Sequence, residues 1–171
     1  MKKNIITILA CAGLLLSAAS CNNSSNNNQN TKEMKTENNQ NTEIFPLGNR
    51  GPAEWFSGEV YVQGLLSPDQ MEGLYSVGQV TFMPGGRTYW HTHPIGQTLL
   101  VLEGRGWYQE RGKPAQELVK GSVVAIPKDV EHWHGASADT KLVHIAISNV
   151  HDGSAVTWTT PVNDEEYNKV K

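Results

Sequence analysis

The chain has 171 residues, of which 38% are hydrophobic, and its 14 Lys and Arg against 17 Asp and Glu give a formal net charge of −3. Because nucleic-acid binding requires a basic surface, this mildly acidic chain predicts no nucleic-acid partner. The two cysteines, Cys11 and Cys21, both lie near the N-terminus. The remaining chain therefore has no thiol for disulfide bonds, thiolate metal ligands or nucleophilic catalysis.

The first 20 residues have the features of a secretory signal. Lys2 and Lys3 precede an apolar run over residues 5–16, and small residues follow up to Cys21. The apolar run is too short to span a bilayer comfortably, and small residues directly before a cysteine resemble a bacterial lipobox. We therefore predict a signal peptide over residues 1–20 and a lipid on Cys21. An ordinary signal peptide or an uncleaved anchor is the alternative.

A polar tether is predicted over residues 21–43. Asn, Ser, Gln and Thr dominate this stretch and Met34 is its one apolar side chain, so it cannot bury enough surface to become ordered. The surface-export signal of some outer-membrane lipoproteins is an acidic pair after the lipidated cysteine, and none follows Cys21 here. We expect a cell-envelope lipoprotein that faces the periplasm, with a single domain over residues 44–171, about 128 residues.

Short apolar and β-branched segments recur through this domain between Gly, Pro and Asp residues. The predicted strands cover residues 59–65, 75–83, 98–102, 106–109, 122–126, 132–134 and 142–147. Many short strands with turn signals between them predict a sandwich or barrel. Residues 99–102 are all apolar, so we expect both faces of that strand to be covered. Asn163, as an N-cap followed by acidic residues, predicts a terminal helix over residues 163–170.

Two blocks contain potential metal ligands. The first has the spacing G-x5-H-x-H-x3-Q-x6-G and includes His91, His93 and Gln97. Residues i and i+2 of a strand point to the same face, so two imidazoles with this spacing can chelate one ion. The second block, G-x5-P-x-D-x2-H, ends at His132. Together the blocks offer four neutral ligands for one divalent metal.

Three other polar residues are candidates for the lining of a pocket. His144 occupies an apolar strand, on the face opposite its two apolar neighbours, and a buried imidazole needs a partner or a purpose. It is either a hydrogen-bonded core histidine or a pocket residue. His134 has the strand parity of His132, so it lines the same pocket or lies at its rim. Thr88 faces the pocket or only fills its strand.

Both blocks resemble the two signature motifs of the cupin superfamily. The resemblance implies an all-β fold, a jelly-roll barrel also called a double-stranded β-helix, with only a short C-terminal helix. Gln97 stands where the family usually has Glu, Asp129 where Gly is usual, and Ala136 where Asn is common. The last two are not ligand positions. The metal ligands that the resemblance implies are His91, His93, Gln97 and His132.

Longer stretches resemble the bacterial cupin hydroxynitrile lyases and the cupins associated with carboxymuconolactone decarboxylase. They include GPAEWFSG from residue 51, RTYWHTHPIGQT from residue 87 and HWHGA from residue 132. No cysteine-bearing decarboxylase domain is present, so we discount the decarboxylase name. The lyase resemblance implies cleavage of a cyanohydrin at a carbon–carbon bond. It implies that His144 is the general base and that Thr88 holds a substrate oxygen. The strand parity of His134 with His132 makes His134 a second base or an orienting group in the same pocket.

The amide at position 97 affects the metal chemistry. Three imidazoles and one amide leave the full +2 charge on the ion, which favours Lewis-acid work over redox cycling. Histidine and glutamine ligands suit a divalent transition metal. We expect manganese first, with iron, nickel or zinc as alternatives.

These features predict a metal-dependent enzyme, of lyase type, that acts on a small oxygenated organic molecule. A cupin dioxygenase is one alternative, and a non-catalytic periplasmic module that binds a small ligand or a metal is another. We expect membrane contact only through the lipid on Cys21. By analogy with cupins of this size, we also expect a homodimer.

Overall fold

The computed structural model of the protein describes residues 43–170. The predicted signal peptide, the proposed lipid site at Cys21 and nearly all of the tether lie outside the described residues. Within them, no helix has the length and apolar character that crossing a membrane requires. The elements, in chain order, are β1 (Asn49–Arg50), β2 (Phe56–Ser57), β3 (Val60–Leu66), a 3₁₀ turn (Pro68–Met71), β4 (Tyr75–Phe82), β5 (Arg87–Thr88), β6 (His91–Thr92), β7 (Gln97–Glu110), β8 (Gln116–Val119), β9 (Val123–Ile126), β10 (His132–Ala136), β11 (Leu142–Asn149), β12 (Thr157–Trp158) and α1 (Asp164–Asn168).

The strands form one curled antiparallel sheet. Hydrogen bonds join them in the order β1-β3-β4-β11-β7-β10-β5-β2, with β8 and β9 added to β7 and with β6 between β10 and β12. The long strand β7 belongs to both layers of the barrel, because its first half pairs with β11 and β9 while its second half pairs with β10 and β8. The predicted all-β jelly roll is thereby confirmed.

Two predicted strands, 98–102 and 106–109, are one continuous strand in the structure. Gly104 lies between them with a φ of 83°, and a Cβ at this position would lie 1.8 Å from the carbonyl oxygen of Lys141. Only glycine tolerates both conditions, so the strand bends here without ending. A glycine that looked like a strand boundary in the sequence thus marks the point where β7 changes layers.

The expectation that both faces of residues 99–102 are covered holds for one face only. Leu99 and Val101 point inward and are buried, at 0% and 4% exposure, while Leu100 and Leu102 on the outer face are half-buried. Antiparallel sheets commonly bury one face and leave the other near solvent. The outer face of this layer therefore remains apolar and only partly covered.

The main core lies inside the barrel and draws its residues from the strands of both layers. Its larger buried members include Phe82, Leu99, Tyr108, Leu118 and Leu142. Full burial of each such side chain stabilises the fold by about 1.5–3 kcal/mol. The polar residues described below share this interior, since Phe82 packs against the rings of both His134 and His144.

The C-terminal helix is confirmed, with the predicted cap. Asn163 Oδ1 accepts a hydrogen bond from the backbone N–H of Glu166 at 2.9 Å, and Glu166 Oε2 accepts one from the N–H of Asn163 at 3.0 Å. This reciprocal pair is a capping box. The helix ends at Asn168, two residues before the predicted end at residue 170.

A buried arginine holds this helix against the barrel. Arg87 donates two hydrogen bonds to the carbonyl oxygen of Val162, at 3.0 and 2.9 Å, and one to Asp164 at 2.7 Å. Its guanidinium also lies over the ring of Tyr167, 4.6 Å from the centroid, and Tyr167 donates to the carbonyl of Ala136 at 2.8 Å. The end of the chain is thus fastened to β5 and β10, the strands that carry Thr88 and the second histidine block.

Candidate metal centre and cavity

The structure brings together three of the four predicted ligand side chains at one point inside the barrel. His91 on β6 is the register partner of His132 on β10, and His93 follows two residues after His91. One ring nitrogen from each of the three lies within 4.8 Å of the others. The strand spacing predicted the first pair, and the antiparallel pairing of β6 with β10 supplies the third imidazole.

Backbone carbonyls orient all three rings in the same way. In each ring, Nδ1 lies at hydrogen-bonding distance from a carbonyl oxygen, which can only accept, so Nδ1 carries the proton. The Nε2 lone pair is consequently free in each ring, as metal binding requires. The partners are Tyr89 for His91 at 2.9 Å, Ala155 for His93 at 2.6 Å and Val130 for His132 at 2.9 Å.

The fourth predicted ligand, Gln97, is held by its cross-strand neighbour. Gln97 on β7 pairs in register with Ser148 on β11, and its Nε2 donates to Ser148 Oγ at 3.0 Å. Its Oε1 is buried without a hydrogen-bond partner, as are Nε2 of His93 and Nε2 of His132. Leaving a buried polar atom unsatisfied costs about 1–3 kcal/mol. Neutral nitrogen and amide oxygen donors with free lone pairs fit a divalent transition metal.

Burial keeps this group uncharged at neutral pH. It lowers the pKa of His132 from 6.5 to about 4. Burial is also the main cause that places the pKa of His91 well below its ordinary value, and the neighbouring His132 and His93 lower it further. The pKa of His93 is lowered by burial, while the carbonyl of Ala155 and the amide of Gln97 act in the opposite direction. Neutral imidazoles are the form that binds a metal.

The other two predicted histidines form a second, hydrogen-bonded pair. His144 Nε2 lies 3.2 Å from His134 Nδ1, and the backbone N–H of His134 donates to Thr88 Oγ1 at 3.1 Å. His134 Nε2 and His144 Nδ1 are buried without partners. Burial lowers the pKa of His144 to about 4 and the pKa of His134 well below 6.5. Both rings are therefore neutral at pH 7.

Only one member of this pair reaches the cavity that the metal centre opens into. The cavity has a volume of about 450 Å³ and is lined by His134, Thr88, His91, His93 and Gln97 among others. His144 is not part of the lining, since it lies behind His134 and against the ring of Phe82, with centroids 5.4 Å apart. The sequence placed both imidazoles on the inner face, and the structure adds that they lie at different depths.

Aromatic side chains form one wall of the cavity, and the sequence analysis did not assign them to the site. Trp158 on β12 is the register partner of His91, and the two rings lie 4.7 Å apart. Trp55 stacks on Trp158 at 5.6 Å with an interplanar angle of 8°, and Phe56 meets the edge of Trp158 at 5.7 Å. The only sequence signal for this wall was the alternation of Val156 and Trp158, which is typical of two side chains on the same face of a strand. Because β12 has only two residues, this alternation is too short to predict a strand.

The lining is otherwise largely apolar. Val62, Val80, Ala146 and Val156 contribute to it, and none of the lining residues in the described part of the chain is Asp or Glu. Small-molecule sites usually have this character, with an apolar cavity of some 300–1,000 Å³ and a few polar groups that fix orientation. The arrangement can hold one metal ion beside a small, mainly apolar organic molecule, with a neutral imidazole in reach.

Comparisons with known proteins agree with this architecture. A family model described as a cupin domain matches residues 78–148. The chain is 46% identical over 121 residues to the (R)-mandelonitrile lyase of Granulicella tundricola, covering 70% of this chain and 91% of that protein. A cupin-like protein from Thermotoga maritima has 47% identity and a TM-score of 0.72, over 75% of this chain and 96% of that chain. The polyketide cyclase RemF from Streptomyces resistomycificus shares the fold alone, at 16% identity and a TM-score of 0.52, over 74% and 83% of the two chains.

Proposed function

The chain belongs to the cupin superfamily, and we propose that it is a lyase that cleaves a cyanohydrin into a carbonyl compound and hydrogen cyanide. The fold, the three-histidine cluster and the mandelonitrile lyase relative fit a metal-dependent cupin enzyme. The observation that carries the finer proposal is that two groups of histidines lie next to each other, with His134 of the second group lining the same cavity as His91 and His93 of the first. One group has free Nε2 atoms, and the other is a neutral imidazole pair.

One divalent transition metal would be held by His91, His93, His132 and the amide oxygen of Gln97. Bound there, the metal supplies Lewis acidity towards the hydroxyl oxygen of the substrate. The ligand set carries no negative charge, so none of that acidity is lost to a carboxylate. We propose manganese as the metal, with iron, nickel or zinc as alternatives.

The imidazole pair takes the proton. In the proposed reaction the substrate hydroxyl gives its proton to His134 Nε2, and not to His144 as the lyase resemblance implies, because His134 lines the cavity and His144 does not. The hydrogen bond between His134 Nδ1 and His144 Nε2 stabilises the charge that forms. The C–O bond becomes C=O as the bond to the nitrile carbon breaks, and its electron pair leaves with the cyanide. Cyanide then receives the proton and departs as hydrogen cyanide. Thr88 Oγ1 accepts from the N–H of His134, so its own hydrogen can be donated to a substrate oxygen.

The test is turnover of mandelonitrile by the purified, manganese-loaded protein, followed as release of benzaldehyde. The matched control is the double variant His91→Ala/His132→Ala, for which elemental analysis should find no metal. Wild-type protein that is fully loaded but inactive would exclude the lyase. Oxygen uptake with an organic substrate would then support the dioxygenase, and tight ligand binding without turnover would support the periplasmic binding module.

We also propose that the protein is a lipoprotein of the cell envelope that forms a homodimer. The proposed lipid on Cys21 and the periplasmic location rest on sequence pattern, and labelling with a radioactive fatty acid in wild type and Cys21→Ser tests them. For the dimer, support comes from the outer sheet face, where Leu100 and Leu102 are half-buried and Val123 is 65% exposed. Analytical ultracentrifugation of wild type and Leu100→Glu tests whether this face joins two copies.

A further inference from the structure

Small residues form a row across the inner face of the first layer, beside the proposed metal centre. Gly64 on β3, Gly78 on β4 and Ala146 on β11 are register partners across three neighbouring strands. Gly78 and Ala146 line the cavity, and Gly64, at the exposed end of the row, does not. At this row, therefore, neither β4 nor β11 places a large side chain between the sheet and the cavity.

The fold does not require a glycine at position 78. Its φ is not positive, and a Cβ there would meet only the carbonyl oxygen of Gln63, at 3.4 Å. A glycine inside a strand also weakens the strand, because it loses more conformational freedom on folding and packs no side chain. The missing side chain is thus explained by the space that it leaves in the cavity, and not by backbone geometry.

The register places this space between the two functional groups. Two residues along the strands in one direction, the neighbouring row on the same face contains Val80 and His144. Two residues in the other direction, the neighbouring row contains Ser148 and Gln97. Buried polar atoms without partners face the cavity from both directions, namely Gln97 Oε1 and His134 Nε2. Gly78 and Ala146 thus lie in the row between those of Gln97 and His144, in the lining of the same cavity.

We propose that the surface over Gly78 and Ala146 is the subsite for the apolar group of the substrate, and that Gly78 sets the depth of this subsite. The group that it takes is apolar, since Val80 borders the subsite and Trp158 lines the same cavity, and a single aromatic ring serves as its probe below. This inference rests on the proposed function, because it assumes that the polar end of the substrate lies at the histidine centre.

The test compares two chelators with the same polar end, benzohydroxamate and acetohydroxamate, by titration against the metal-loaded protein. Binding needs no turnover, so the result is separate from whether mandelonitrile is cleaved. Wild type should bind benzohydroxamate at least about tenfold more tightly, because only its ring reaches the subsite. In Gly78→Val this preference should fall to near one, with acetohydroxamate affinity and metal content unchanged.

Gly64→Val is the matched control. It adds the same side chain to the neighbouring strand, at a position with open space and outside the cavity lining, and it should keep the wild-type preference. Both variants should unfold at the same or higher urea concentration than wild type. The inference is overturned if wild type binds the two chelators equally or binds neither, if Gly78→Val keeps the preference, or if Gly64→Val loses it.

Discussion

The barrel interior holds two groups of buried histidines that differ in what anchors their rings. In the group His91, His93 and His132, each Nδ1 donates to a backbone carbonyl. In the pair His134 and His144, the rings are hydrogen-bonded to each other at 3.2 Å. A carbonyl fixes one tautomer and one ring orientation, while an imidazole partner can give or take a proton. Two sets of the same side chain, both neutral through burial, are thereby suited to ligand binding and to proton transfer respectively.

The largest expected difference between variants of the two histidine groups is in the amount of bound metal. We expect His132→Ala to abolish stoichiometric metal binding, because it removes one of three imidazoles whose Nε2 atoms meet at one point. His144→Phe should keep full metal content, since His144 lies behind His134 and outside the cavity lining. Elemental analysis of both variants measures this. Equal metal loss in the two would mean that the histidine groups are not functionally distinct.

The pair should matter for turnover instead. We expect His144→Phe and His134→Phe each to lower kcat for mandelonitrile by about 10²–10⁴-fold, the usual contribution of general acid–base catalysis. Because the two imidazoles act as one unit, the double variant should be no slower than the slower single variant. Steady-state kinetics at matched metal content test this. Independent, multiplicative losses would contradict a shared proton.

Acid should destabilise the metal-free protein through both groups. When the pKa of a histidine is lower in the folded than in the unfolded protein, the unfolded chain binds the proton first as the pH falls. The contribution of that histidine to the free energy of unfolding is therefore complete above pH 6.5 and is lost as the pH falls to the folded pKa. For His144, with a pKa near 4 against 6.5, the loss is roughly 3 kcal/mol. Urea unfolding at several pH values should show a steep decline in wild type and a shallower one in His144→Phe.

Metal addition sharpens this contrast. Protons cannot bind to nitrogens that hold a metal, so the contribution of the three-histidine group becomes a competition between metal and protons. The contribution of His144 should remain, and the difference between wild type and His144→Phe should persist in the loaded protein. If metal removed that difference too, His144 would belong to the ligand group.

The smallest effect should come from Ser148, which contacts the proposed centre only through Gln97. Ser148→Ala removes the hydrogen bond to Gln97 Nε2 and should weaken metal affinity by about tenfold or less, at the lower end for such outer contacts. Competition with a fluorescent chelator measures this. Ser122→Ala is the matched control, because Ser122 Oγ accepts only from the backbone N–H of Val119, in a turn that does not line the cavity.

Local spacing was enough to predict much of the centre. His91 and His93 lie two residues apart, and Gln97 and His132 occupy positions of a recognisable motif. The convergence of these four side chains on one site could therefore be predicted without knowing the conformations of the loops. The relative depth of His134 and His144 was beyond the sequence. Strand parity gives the face on which a side chain lies, whereas depth depends on the curvature of the sheet and on a register shift between Val143 and His144.

Contacts from distant residues were also beyond the sequence. Trp158 reaches His91 through a two-residue strand, and the carbonyl of Ala155 reaches His93 across 62 residues. Backbone groups carry no residue-type signal, so no pattern identifies Ala155 as a partner. The merging of two predicted strands into β7 has a similar cause, because glycine is common in turns, whereas Gly104 is a bend within a continuous strand.

The anchoring of the C-terminal segment by Arg87 has a consequence for the order of folding. Arg87 and Val162 are 75 residues apart in the chain, and the segment that they fasten supplies both Ala155 and Trp158 to the histidine centre. Contacts between such distant residues form slowly, because long loops must close first. We therefore expect the metal to bind after β12 and α1 have docked on the barrel. Metal binding would then stabilise a barrel that has already folded and would not nucleate its folding.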